Sequence, residues 1–176
     1  MNRRHILSLS VITAMGFALL PGSALAQQKS LKEQLVGTWT VVSWDQTAKD
    51  GTHFQRFGAS PKGVNVFAPN GHFYIMFARA DLPRIAASDP MKTTPEENKA
   101  VMEGSIAYFG TYTVDEATET ISLRVEASTF PNQVGSEQKR NLASITVGDL
   151  KLTNPSALTG GLITYVMKRA TTLASR

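Results

Sequence analysis

The chain contains no cysteine among its 176 residues, and histidine is almost as scarce, with three in all. The lack of cysteine excludes disulfides, thiol catalysis, cysteine metal sites and lipid attachment through cysteine. After the first 26 residues only His53 and His72 remain, on separate predicted strands. A zinc site needs three or four convergent ligands. We therefore expect neither a metal nor a cofactor, and a fold held together by packing alone.

Long runs of one charge are also missing. No basic run exceeds Lys139-Arg140 or Lys168-Arg169. Without Arg3 and Arg4 the 18 basic residues fall to 16, against 14 acidic ones, which is a net charge of only +2. Nucleic-acid-binding domains carry a basic stripe or face. We therefore expect no nucleic-acid partner.

The longest apolar run covers residues 6–20 and is too short for a transmembrane helix, which needs about 20 residues. A basic start, Asn2-Arg3-Arg4-His5, precedes it, and a break at Pro21-Gly22-Ser23 follows. Ala24-Leu25-Ala26 then supplies the small residues of a cleavage site. This order is typical of a secretory signal peptide. The paired arginines fit either an ordinary signal or a twin-arginine signal.

We therefore expect a signal peptide over residues 1–26 and a mature protein in the periplasm or outside the cell. No later segment is apolar for long enough to form a transmembrane helix. The remaining 150 residues are enough for one domain with a real core. We place this domain at residues 27–170 and a flexible tail at residues 171–176.

Alternation of apolar and polar residues dominates this domain. Ser30 and Glu33 form a capping box for one helical turn that ends at Gly37. From Thr38 the period is two, which is typical of strands. In the first strand this period predicts that Trp39 and Trp44 face opposite sides. Strands are predicted from residue 38 onward and at 53–57, 64–68, 72–79, 105–114, 121–128, 139–147, 150–153 and 162–169.

One helical insertion interrupts the strands at residues 80–104. Thr94-Pro95-Glu96-Glu97 combines a cap, a proline at the first helical position and a capping-box glutamate. Gly104 can end this helix. Eight or nine strands joined mostly by short turns predict an all-β domain, either an up-and-down antiparallel barrel or a sandwich. We interpret the insertion as a lid that gates access to a barrel interior.

Several stretches make the β pattern more specific. Gly37-Thr38-Trp39 after a helical turn is similar to the start of a lipocalin. Residues 107–115, 125–128, 131–135, Arg140 and residues 148–152 resemble the lipocalin-like domain family of small exported bacterial and fungal proteins. The resemblance implies a lipocalin or calycin-like barrel of about eight strands. It also implies that Gly37 and Trp39 close one end and that a basic residue of the last strand packs over the tryptophan.

Arg169 is the matching basic residue, and Arg140 is a second choice. The sequence departs from the family where many members carry histidine, because Ser122-Leu123-Arg124 stands there. Any role of that histidine is therefore in doubt for this chain. The family has no single activity that the resemblance could transfer.

Candidate ligand-binding residues come from three strands and from the resembling motifs. Arg124 and Glu126 share one face of a strand, and Tyr108 and Tyr112 share a face of its predicted neighbour. If both faces point inward, Glu126 could act as an acid or base. Alternation favours the other arrangement, with Ile121 and its apolar neighbours inside, and Glu126 could also pair with Arg140 across strands. The candidates are Tyr74, Met76, Tyr108, Tyr112, Arg124, Glu126, Asn132 and Arg140.

The most favoured function is binding or transport of a small apolar or amphipathic molecule inside the barrel. An enzyme such as an isomerase, cyclase or hydrolase acting on a hydrophobic metabolite is the first alternative. A barrel filled by side chains and serving as a structural or interaction module is the second. No Gly-x-Ser-x-Gly motif occurs, so no catalytic residue is assigned. The ligand and the oligomeric state stay open.

Overall fold

The structure is a computed structural model that describes residues 29–155 and 160–171. The predicted signal peptide lies outside these ranges, as does the predicted tail from residue 172 onward. The elements within them are α1 (Leu31–Leu35), β1 (Gly37–Thr47), β2 (His53–Phe54), β3 (Lys62–Phe67), β4 (His72–Ala78), α2 (Pro95–Gly104), β5 (Ser105–Asp115), β6 (Thr120–Ser128), β7 (Glu137–Ile145), β8 (Asp149–Asn154) and β9 (Leu162–Arg169). Single-turn 3-10 helices occur at Pro90–Lys92 and Pro131–Gln133.

Eight of these strands form a closed antiparallel barrel. From β3 to β9 each strand pairs with the next one in the chain, and β1 pairs with both β3 and β9. The β1–β9 ladder runs from Trp39–Arg169 to Thr47–Leu162 and closes the sheet. This closure excludes the sandwich and confirms the up-and-down barrel. Strand β2 is an extra two-residue strand on the end of β1.

Both helices begin as their capping sequences predict. The side chain of Ser30 accepts the backbone N–H of Glu33, and the Glu33 carboxylate accepts the backbone N–H of Ser30. Thr94 and Glu97 form the same reciprocal pair at the start of α2. These bonds satisfy helix N–H groups that have no partner within the helix. Within the described ranges, no helix is long and apolar enough to cross a bilayer.

Strand β1 contains one extra residue that changes which side chains face inward. Its ladder with β9 shifts register between Val41 and Ser43, which leaves Val42 as a bulge. A bulge puts two residues of one strand opposite one residue of its partner and so resets the alternation. Trp39 and Trp44 are therefore both buried. The prediction that they face opposite sides was wrong because strict period two cannot show a bulge.

The second predicted strand is also shorter than residues 53–57. Only His53 and Phe54 pair with β1, whereas Phe57 turns into the barrel and is 1% exposed. Its ring centre lies 5.2 Å from that of Trp44 and 6.0 Å from that of Phe77. Packing of this ring inside the barrel takes the place of further strand pairing.

Candidate functional site

One end of the barrel is closed by a stacked tryptophan and arginine. Trp39 is fully buried, and its indole N–H donates to the Leu35 carbonyl at 2.8 Å. The guanidinium carbon of Arg169 lies 4.0 Å from the centre of the Trp39 ring. The same guanidinium donates to the carbonyls of Val36 at 2.9 Å and Gln34 at 2.6 Å. Arg169 therefore joins α1, the start of β1 and the end of β9.

The turn between β5 and β6 fastens α1 to this end. The Glu116 carboxylate accepts the backbone N–H groups of Leu31 at 2.7 Å and Lys32 at 3.0 Å. Both groups belong to the first turn of α1, where N–H groups lack helical partners and a negative charge is favourable. The side chains of Leu31 and Leu35 are buried beneath the helix. Helix α1 therefore covers the closed end of the barrel, and buried side chains fill it.

The other end of the barrel is hollow. A cavity of about 810 Å³ opens there between β2, the C-terminal end of α2 and the loop before β7. Its apolar and aromatic lining residues are Trp44, Phe54, Phe57, Phe77, Met102, Ile106, Tyr108, Phe130, Ile163 and Tyr165. Its polar and charged lining residues are Gln46, Arg56, Arg79, Glu103, Asn132, Gln133, Ser136, Glu137, Gln138, Arg140 and Asn154.

Arg140 is the most deeply placed charge in this cavity, since only 3% of it is exposed. Strand β7 directs it inward opposite Ile121. Its Nη2 donates to the Gln138 Oε1 at 2.6 Å and to the Tyr108 hydroxyl at 3.3 Å, and its Nη1 donates to the Lys139 carbonyl at 2.9 Å. The guanidinium carbon lies 5.3 Å from the centre of the Tyr165 ring.

The protonation states of Arg140 and Tyr108 follow from burial and from the contacts of Arg140 with its tyrosine neighbours. Burial raises the pKa of Tyr108 to about 12, although the Arg140 guanidinium opposes that rise. Burial alone would lower the pKa of Arg140, but the oxygens of Tyr165 and Tyr108 favour its charged form more strongly and the net direction is upward. Arg140 is therefore a cation at neutral pH, and Tyr108 beside it is a neutral phenol.

A second arginine ties α2 to the mouth of the cavity. Nε of Arg56 donates to the Glu103 carbonyl at 3.0 Å, and its Nη2 donates to the carbonyls of Met102 at 2.9 Å and Ser105 at 3.3 Å. Carbonyls at the end of a helix lack helical partners and attract cations. Burial lowers the pKa of Arg56, and the nearby Glu103 opposes this effect. Arg56 therefore holds the C-terminal end of α2 beside the opening.

Comparison with known protein families agrees with this barrel. The family model described as a lipocalin-like domain matches residues 36–168, well over half of the chain. The chain belongs to the lipocalin-like domain family. The resemblance inferred from the sequence is therefore confirmed.

Two solved structures are similar to this lipocalin-like protein. A lipocalin-like protein from Bacteroides uniformis ATCC 8492 is 13% identical with a TM-score of 0.42, over 78% of this chain and 99% of that chain. A redesigned β-barrel is 17% identical with a TM-score of 0.43, over 81% of this chain and 100% of that chain. Comparison with curated protein sequences gives no match.

The structure separates the sequence-derived site candidates of this lipocalin-like protein into two groups. Tyr108, Asn132 and Arg140 line the cavity. Tyr112 also points inward, but its hydroxyl donates to the Ala68 carbonyl at 3.0 Å and its ring packs on Phe67, away from the cavity.

The other four candidates lie on the outer surface of the barrel. Tyr74 is 48% exposed and Met76 is 56% exposed on β4, and the Tyr74 ring stacks on Phe109 with ring centres 6.1 Å apart. Arg124 and Glu126 are exposed on β6. Alternation explains the placement on β6, because Ile121, Leu123 and Val125 fill the inward positions of that strand.

Two arrangements of Glu126 that the sequence left open are therefore not formed. It does not join Tyr108 around a cavity, because it faces solvent while Tyr108 faces inward. It does not pair with Arg140 either, because the β6–β7 register sets Arg140 opposite Ile121. A buried carboxylate acting as an acid or base is thus absent from this position.

Sequence reasoning missed several cavity residues. Trp44 and Gln46 reach the cavity only because of the Val42 bulge, which leaves no mark in the alternation. Gln138 precedes Arg140 by two residues, so period two on β7 could have placed both on one face. Arg56 was included in a predicted strand and received no role at the mouth.

The described residues do not form a metal centre. Within residues 29–155 and 160–171, no three His, Asp or Glu side chains converge as metal ligands do. His53 bonds instead to the Thr47 hydroxyl at 3.0 Å.

Proposed function

We propose that the protein binds or carries a small apolar or amphipathic molecule in the open end of the barrel. The observation that carries this proposal is the cavity of about 810 Å³, at the end opposite the Trp39–Arg169 closure. Ligand sites in proteins typically measure about 300–1,000 Å³ and combine an apolar lining with a few polar groups. A barrel filled by side chains would offer no such space, so the cavity counts against the filled-barrel alternative.

Protonation states favour binding over catalysis. Two buried ionisable groups of the cavity, Tyr108 and Arg140, keep their protons at neutral pH. General acid–base catalysis works best when the pKa of the group lies near the working pH. His53 and His72 do not line the cavity, and Glu103 and Glu137 are exposed. The isomerase, cyclase or hydrolase alternative therefore has no comparable support.

Export belongs to the same proposal. We propose that residues 1–26 are removed and that a domain of residues 27–170, followed by a short tail, acts in the periplasm or outside the cell. Support comes from the basic start, the apolar run and the Ala24-Leu25-Ala26 site. Expression of the full chain, cell fractionation and N-terminal sequencing test this. A cytoplasmic product that retains its first residues would refute it.

Binding can be tested with a neutral apolar fluorophore, N-phenyl-1-naphthylamine. We expect saturable binding of one probe per chain. Ser136→Phe places a ring in the cavity wall and should weaken probe binding at least tenfold. Ser122→Phe, on the outer face of β6, is the matched control and should leave binding unchanged.

Two results would refute the binding proposal. One is the absence of saturable probe binding, and the other is equal binding to wild type and Ser136→Phe. Native mass spectrometry of protein purified from its own cells gives an independent check. A co-purifying small molecule would support binding and would supply the mass of the natural ligand.

A further inference from the structure

Among the described residues, Arg140 is a buried cation without a counter-ion. All 14 acidic side chains of the chain lie within the described residues, and none comes within 4.0 Å of Arg140. The three ion pairs that form within residues 29–155 and 160–171 are exposed and involve Arg79, Lys92 and Lys99. Buried charges in proteins are normally paired or bound to a metal, because isolated ones are costly. The missing negative charge is therefore not supplied by an acidic side chain of the protein.

The groups that surround Arg140 are neutral. Its partners are the Tyr108 hydroxyl, the Gln138 amide oxygen, the Lys139 carbonyl and the face of Tyr165. They orient the guanidinium and partly replace its water, but they leave its charge uncompensated. The bonds to these partners use three of the five N–H groups that an arginine carries.

Gln138 adds another unused hydrogen-bond donor beside Arg140. Arginine has no acceptor, so the Gln138 amide must turn its oxygen toward Arg140. Its Nε2 is then directed elsewhere, and this nitrogen is buried without a hydrogen-bond partner among the described residues. A buried donor without a partner costs free energy that a bound acceptor would recover. Arg140 and Gln138, which both line the cavity, thus combine a positive charge with a buried, unused N–H group.

We propose that Arg140 and the Gln138 amide nitrogen bind the anionic head group of the ligand, and that this head group is a carboxylate. The apolar body of the ligand then lies among the aromatic side chains that line the rest of the cavity. The proposal rests on the binding function proposed above and narrows it to molecules with one acidic end. A carboxylate fits because one of its oxygens can accept an unused N–H group of Arg140 while the other accepts the Gln138 Nε2–H group, and its charge neutralises the guanidinium.

The test compares ligands that share one chain and differ only at the head group. Decanoate, decan-1-ol and decylamine compete with N-phenyl-1-naphthylamine for wild-type protein at neutral pH. We expect decanoate to bind at least tenfold more tightly than decan-1-ol, because one hydrogen bond to a charged group contributes about that much. Decylamine should bind most weakly, because its ammonium group meets the Arg140 cation.

Gln138→Glu is the decisive variant, because it gives Arg140 a carboxylate of nearly unchanged size. We expect it to reduce decanoate affinity at least tenfold and to change decan-1-ol affinity less than threefold. Arg140→Met should act in the same direction. Arg124→Met removes an exposed arginine on the outside of the barrel and should leave all affinities unchanged. Near-ultraviolet circular dichroism checks that each variant is folded.

The outcomes separate this proposal from the binding function. If the fluorophore itself does not bind, the binding function fails. If the fluorophore binds but decanoate and decan-1-ol compete equally well, the anionic head group is refuted. Unchanged decanoate affinity in folded Gln138→Glu would also refute it. Decyl sulfate or decyl phosphate binding tenfold more tightly than decanoate would overturn the carboxylate assignment.

Discussion

Replacing Arg169 with methionine should destabilise the barrel more than most single substitutions do. Methionine keeps an apolar stem against Trp39 but removes the guanidinium, which makes part-buried hydrogen bonds to Val36 and Gln34 and an exposed one to Val147. Each part-buried bond from a charged donor contributes about 1.5–3 kcal/mol. The stacking on Trp39 at 4.0 Å adds about 1–2 kcal/mol. Water replaces the exposed bond at little cost.

Added independently, these contributions come to about 4–8 kcal/mol. Stacking and hydrogen bonding involve the same guanidinium and are not additive, so we expect a smaller loss of about 3–5 kcal/mol in the free energy of unfolding. A domain of this size has about 5–15 kcal/mol in total. Equilibrium unfolding in urea, followed by tryptophan fluorescence and far-ultraviolet circular dichroism, measures the loss as a lower midpoint at constant slope. The Trp39 emission should also shift to longer wavelength in the native state, because its ring loses its cover.

Two control variants make the result interpretable. Arg169→Lys retains the charge without the planar fork and should recover less than half of the loss. Lys168→Met removes the neighbouring exposed cation and should change stability by less than about 0.5 kcal/mol. A loss below about 1 kcal/mol for Arg169→Met, or full recovery by lysine, would refute the role of Arg169 in closing the barrel.

Three further variants test other contacts. The folded state favours protonated Tyr108, so this residue contributes about 2–3 kcal/mol of stability below pH 10, and the contribution is lost as the pH rises towards 12. In urea unfolding, Tyr108→Phe should therefore lose less stability than wild type between pH 10 and 12. An equal dependence of unfolding free energy on pH in both proteins would contradict this. Glu116→Ala removes the two carboxylate oxygens that accept N–H groups in the first turn of α1 and should lower the free energy of unfolding by about 1–2 kcal/mol. An unchanged midpoint in urea unfolding would argue against a stabilising role of Glu116. Arg56→Met frees the end of α2 and should speed fluorophore release several-fold in stopped-flow dissociation, whereas equal rates would count against a lid at residues 80–104.

Much of the fold could be predicted because its signals are local. The capping boxes at Ser30 and Thr94 depend on residues three positions apart, and both helices begin where these boxes place them. Strand β9 occupies residues 162–169 as predicted, because it has regular alternation and glycines at its start. Barrel closure is not local, since it joins β1 to β9 across most of the chain. The resemblance carried that part of the prediction.

The site was harder to predict because it depends on register. Arg140 belongs to the cavity, and the resembling motifs had included it as a candidate. Its surroundings required the pairing of β6 with β7, which sets it opposite Ile121 and leaves Glu126 outside. No pattern within a single strand carries that information. The Val42 bulge moved Trp44 into the cavity for the same kind of reason, because only the partner strand reveals an unpaired residue.

The extra residue in β1 also has an evolutionary consequence. On one side of it, Trp39 and Val41 belong to the filled half of the barrel, and on the other side Trp44 and Gln46 line the cavity. The two halves of β1 are therefore under different selective constraints. Substitutions at Gln46 can change the shape of the cavity without touching the Trp39–Arg169 closure. Related chains can therefore differ in their cavities while they inherit the same folding core.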